Sequence, residues 1–126
     1  MSIQFNKVGL LASDAPKHWW DASGKQWRTP AIKGRLKFKG PGYRALREFV
    51  LSRDGYACQY CGLQFPEDTS VVVERIGYLQ ERVYRLVADH VISRENGGAH
   101  HPLNLVAACE GCNSKKAATV DSRSGT

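Results

Sequence analysis

A chain of 126 residues with a net charge of +6 has room for one modest domain, and no apolar run in it approaches membrane-spanning length. Its polar and glycine-rich stretches limit the core it can bury, so the four cysteines are candidates for a covalent or metal staple. The charge is uneven: residues 1–57 hold eleven Lys/Arg against four Asp/Glu, and the remainder seven against eight. A basic N-terminal part suits a polyanionic partner as well as a plain solvated face, and no amphipathic segment is long enough to suggest membrane attachment, so no membrane partner is expected.

Taken in chain order, residues 1–40 show no sustained period. The stretch KHWWDASGKQWRTPAIKGRLKFKG mixes Trp19, Trp20 and Trp27 with Lys33, Arg35, Lys37 and Lys39, and reads as a basic extended arm whose tryptophans anchor it to the body. PGYRALREFVLSRDG then turns helical. Leu46, Phe49 and Val50 share one face with Tyr43 a turn earlier, Pro41 suits the start, and Gly55 the end. Arg44 and Arg47 fall mainly on the other side. SVVVERI and ERVYRLVADHVI are rich in β-formers around a break at Gly77 and predict a hairpin whose second strand runs into Asp89-His90. A turn at ENGG and a loop at HHPLN precede a short strand, LVAAC, and a short helix beginning near EGC. The division expected is an arm over 1–40, a compact α+β unit over 41–118 and a polar tail over 119–126.

Cys58-x-x-Cys61 and Cys109-x-x-Cys112 form two knuckles. A two-residue spacer lets both sulfurs of a pair approach one ion, and two such pairs complete a tetrahedral thiolate site. Two disulfides are the competing reading. The sequence shows no basic, apolar and small-residue leader that would argue for an oxidising compartment, so structural zinc and a cytoplasmic location are expected.

The segment DHVISRENGGAHHPLNLVAACEGCNSKK carries the remaining chemistry. Asp89 is a hard oxygen ligand suited to Mg²⁺ or Mn²⁺. His90 follows it on a strand, where neighbours point to opposite faces, so the two need separate roles or a bend at the strand end. Asn113 follows a cysteine ligand directly, and its amide oxygen could complete a divalent site with Asp89. Singly, His90 reads as a zinc or core histidine and Asn113 as a helix cap. The ordered set of Asp, His, Asn and Cys-x-x-Cys-Asn favours chemistry.

From about Tyr56 to Lys116 this pattern resembles the HNH nuclease family: Asp-His, a Gly-Gly turn, Asn-Leu, then Cys-x-x-Cys-Asn-x-x-Lys. The resemblance implies a zinc-stapled ββα-metal fold in which a hairpin and a helix grip one catalytic divalent ion. It implies His90 as the general base, and Asp89 and Asn113 as ligands of a Mg²⁺- or Mn²⁺-type ion. Asn104 would be the middle asparagine that braces the loop and orients His90. Cys58, Cys61, Cys109 and Cys112 would hold the zinc, and Lys116 would contact phosphate. Arg94 stands where many relatives have proline nearby and is a candidate phosphate ligand, while His100 is a candidate metal or substrate contact. Lys33, Arg35, Lys37, Lys39, Arg44 and Arg47 would track a DNA backbone.

The function expected is hydrolysis of DNA phosphodiesters by an endonuclease or nickase. The alternative is a zinc-knuckle nucleic-acid-binding module without catalysis, and the complete Asp89, His90 and Asn113 set discriminates against it. Double-stranded DNA is the expected partner. Cutting both strands would take a homodimer or successive nicks. Small members of the family resemble restriction enzymes, homing nucleases and nucleases encoded near phage packaging genes, so restriction or packaging partners are conceivable.

Overall fold

The computed structural model describes residues 9–30 and 41–115. Lys33, Arg35, Lys37, Lys39, Lys116 and the tail over 119–126 lie outside the described residues. Within them the chain is mixed α+β: a two-stranded hairpin, a helix, a three-stranded antiparallel sheet and a terminal helix.

Helix α1 spans Pro41–Arg53. Proline suits its first turn because its missing N–H would have no intrahelical partner there. Leu46, Val50 and Leu51 are buried, while Phe49 and Tyr43 are half-buried. The buried stripe is thus rotated by part of a turn from the one the hydrophobic period suggests, because α1 serves two clusters at once. Leu46 and Val50 pack with Trp19 and Leu105, and Leu51 packs with Tyr56, Tyr60, Phe65 and Leu86 around the knuckles. Gly55 takes the left-handed conformation (φ 67°) that lets Tyr56 N–H return to the Leu51 carbonyl at 2.9 Å and close the helix.

Strands β3 (Val71–Arg75), β4 (Glu81–His90) and β5 (Leu105–Cys109) follow in the order β3-β4-β5. The register pairs Asp89 with Val106 and His90 with Leu105, and residues 110–115 continue β5 directly into helix α2. The β5 edge of this sheet is clamped from the end of α1. Arg53 donates to the Pro102 and Leu105 carbonyls at 2.8 and 2.6 Å, and Asp54 Oδ2 accepts the Ala107 N–H at 2.8 Å.

The stretch expected to be an extended arm contains a hairpin instead, β1 (His18–Trp20) against β2 (Gln26–Arg28). Its turn is organised by Asp21, whose Oδ1 accepts from the Ser23 and Lys25 N–H groups and from the Ser23 hydroxyl, and whose Oδ2 accepts from the Trp27 indole. Those hydrogen bonds, led by the Ser23 and Trp27 side chains, bring the Asp21 carboxyl down to about 2. Trp19 is buried and stacks on Trp27 at 6.1 Å, whereas Trp20 faces outward. Among the described residues no helix is long and apolar enough to cross a membrane.

Candidate active site

Four cysteine sulfurs converge where the first knuckle meets the end of β5. All four cysteines are free, and their sulfurs lie within 4.8 Å of one another, with Cys61 and Cys109 at 3.8 Å. A tetrahedral ion with Zn–S bonds of about 2.3 Å spaces its sulfurs about 3.8 Å apart, so the cluster has the size of a zinc site. Backbone N–H groups of Cys61 and Cys112 point at the sulfurs of Cys58 and Cys109, at 3.5 and 3.4 Å. Burial opposes ionisation of Cys58, but N–H groups of Cys109, Cys61 and Tyr60 outweigh it and bring the thiol down to about 7. Burial and the neighbouring thiols push Cys109 and Cys112 up. Alone, the cluster therefore resists carrying four negative charges, and a divalent cation is the natural counter-charge.

The last residues of β4 carry the second constellation. Asp89 is buried, and its Oδ2 accepts a hydrogen bond from the Tyr60 hydroxyl at 2.7 Å. Burial and the Asp89 carboxylate push the Tyr60 phenol well above its ordinary range, so it stays a donor. Asn113, half-buried, lies in α2 one residue beyond the thiol ligand Cys112. A carboxylate oxygen and an amide oxygen are each hard donors of the type that Mg²⁺ or Mn²⁺ takes.

His90, on the next residue and the opposite face, meets His100. The His90 Nε2 and His100 Nδ1 atoms are 3.2 Å apart, and the rings stack at 5.3 Å. Tyr43 of α1 also stacks on His100, at 5.9 Å and 8°. Burial first, and then the charge of Arg94, lower the His100 pKa and favour the neutral ring. Arg94 itself opens a 3₁₀ turn, Arg94–Asn96, and is half-buried. Of the α1 arginines, Arg44 is exposed and Arg47 pairs with adjacent Glu48 at 3.3 Å.

The loop between β4 and β5 is organised by Asn104, which is fully buried. Its Oδ1 accepts from the Leu10 and Ile92 N–H groups, both at 3.0 Å, and its Nδ2 donates to the Ile92 and Ala99 carbonyls at 3.0 and 2.8 Å. That satisfies the full capacity of an amide side chain. Residues 10–12 complete the fixture from outside. Ala99 N–H donates to the Leu10 carbonyl at 2.9 Å, and Ala12 N–H to the Gly97 carbonyl at 2.8 Å. A Cβ on Gly98 would overlap the Ile92 carbonyl, so the second glycine of the Gly-Gly turn is required by close approach. His101 accepts the Leu103 N–H at Nδ1 and reaches the His18 carbonyl through Nε2 at 3.3 Å.

Two participants escape a reading of the sequence. Tyr60 reads as a spacer between two thiol ligands, and Tyr43 as an apolar member of a helix face. Only the tertiary structure brings them to Asp89 and His100.

A sheet-end Asp-His pair and an asparagine-braced loop thus stand beside a four-cysteine cluster of the size that suits zinc. Residues 58–119, just under half of the chain, match the HNH endonuclease family. Searches of curated proteins and of solved structures return no significant match. The family is generally one of nucleases, which gives this chain a nuclease or nucleic-acid-related function and nucleic acid as its partner.

Proposed function

We propose that the chain is a metal-dependent DNA endonuclease or nickase in which His90 activates water and Asp89 and Asn113 hold a Mg²⁺ or Mn²⁺ ion. The observation that carries this reading is the geometry at the end of β4, where consecutive residues feed two separate environments: Asp89 a carboxylate pocket, His90 a histidine stack. When bound, the divalent ion would neutralise phosphoryl oxygens and the charge growing on the leaving 3′ oxygen. In the tautomer in which His90 Nε2 donates to His100 Nδ1, the Nδ1 of His90 is the basic nitrogen that takes the proton from water. His100 and Tyr43 fix the plane of that ring, and Asn104 fixes the loop from which His100 projects. Arg94 supplies positive charge beside the stack, where it favours an approaching phosphate. The four thiolates hold zinc as scaffold.

The test is incubation of supercoiled plasmid with Mg²⁺, Mn²⁺ or EDTA, comparing the wild type with His90→Ala. Relaxed circles with divalent metal, none with EDTA, and a His90→Ala rate lower by about 10²–10⁴-fold are expected, with zinc content and DNA binding retained. Full cleavage by His90→Ala would sink the assignment. Intact plasmid with every metal would favour a zinc-stapled DNA-binding module.

A further inference from the structure

Tyr60 sits inside the first knuckle, Cys58-Gln59-Tyr60-Cys61, with its ring in the buried cluster that also contains Cys58 and Cys112. The knuckle is stitched to the sheet by the Gln59 N–H, which donates to the Ala107 carbonyl at 2.9 Å. Ala107 is one residue from Val106, the partner of Asp89 across the β4–β5 ladder. The Tyr60 hydroxyl therefore starts from a backbone fixed on both sides and reaches Asp89 Oδ2 at 2.7 Å, the length of a charge-assisted O–H···O⁻ bond.

We propose that Tyr60 is a positioning residue for the catalytic metal: by holding Asp89 Oδ2 it fixes the rotation of the carboxylate. The proposal rests on the reading of Asp89 as a metal ligand. An aspartate free to turn about its terminal torsion can offer either oxygen or both, and pays the ordering entropy when the ion binds. One whose outer oxygen is already claimed binds in one geometry. Asn113, the second expected ligand, is fixed from the other knuckle through Cys112. Each ligand of the divalent ion is thus referred to one knuckle of the zinc site, Asp89 through a phenol hydrogen bond and Asn113 through a peptide bond.

Tyr60→Phe removes the hydroxyl and keeps the ring. Mn²⁺ binding to the zinc-loaded full chain, followed by the electron paramagnetic resonance of free Mn²⁺, should weaken about ten- to a hundredfold in this variant. Zinc stoichiometry and the thiolate charge-transfer spectrum of the Co²⁺-substituted protein should be unchanged. Wild-type Mn²⁺ affinity in Tyr60→Phe would overturn the proposal, and so would loss of zinc, which would make Tyr60 part of the scaffold instead. Asp89→Asn separates the two levels. If Asp89→Asn leaves Mn²⁺ affinity intact, the metal site itself is misassigned. If Asp89→Asn abolishes binding and Tyr60→Phe does not, only the positioning role falls.

Discussion

Gly98 and Gly111 have the same side chain and opposite constraints. A Cβ at Gly98 would run into the Ile92 carbonyl and lie 2.8 Å from Asn104 Nδ2, with backbone as the main obstacle. Gly98→Ala should therefore cost about 1–3 kcal/mol through displacement of the loop. Gly111 stands in helix α2 with nothing within 4 Å of the added carbon, so Gly111→Ala should be stabilising by about 0.4–1 kcal/mol. Urea denaturation of the two variants beside the wild type checks both signs. His101 makes a third prediction at this scale. Burial, only partly offset by the His18 carbonyl, lowers its pKa, so the folded state disfavours the charged ring. Its contribution is present above the unfolded value of about 6.5 and is lost as pH falls through the lower folded value. Melting temperatures taken from pH 7 to pH 5 should fall more steeply for the wild type than for His101→Asn, whose Oδ1 can accept the Leu103 N–H without titrating. Parallel slopes would contradict the assignment.

At the scale of elements, what could be read in advance depended on length and period. The thirteen residues of α1 and the ten of β4 are long enough to display their periods, and both stand where the sequence puts them. β1 and β2 have three residues each, too few for alternation to register, and their turn is held by the side chain of Asp21 rather than by a backbone signature alone. The cysteine cluster was legible because ligand spacing is local. The Tyr60–Asp89 bond was not, because it joins residues 29 apart whose types are unremarkable singly. The β3–β4 hairpin was legible as an element and remains without an assigned role. Its tip leaves Tyr78 and Leu79 about nine-tenths exposed, and β3 is an edge strand.

At the scale of the whole molecule, the cysteine cluster joins parts of the chain that the sheet alone would leave loosely tied. Cys58 and Cys112 belong to the same buried cluster as Leu51 of α1 and Leu86 of β4. Structural zinc contributes about 10–16 kcal/mol of apparent binding free energy in small zinc-dependent folds, against about 5–15 kcal/mol of total stability for a typical domain. Removal of zinc by a strong chelator should abolish the cooperative thermal transition, and added Zn²⁺ should restore it. Calorimetry with and without chelator measures this, and an unchanged transition in metal-free protein would refute a stabilising role for the cluster.

The hydrogen bond from Leu10 N–H to Asn104 spans 94 positions of the chain. Contacts of that separation carry a large loop-closure cost and form after local ladders and turns are in place. The loop bearing His100 is thus tied to a segment far upstream of the β4–β5 ladder and the knuckles. A chain clipped past Ala12 would lose these braces on the loop around Asn104 while the segment that matches the family stayed whole.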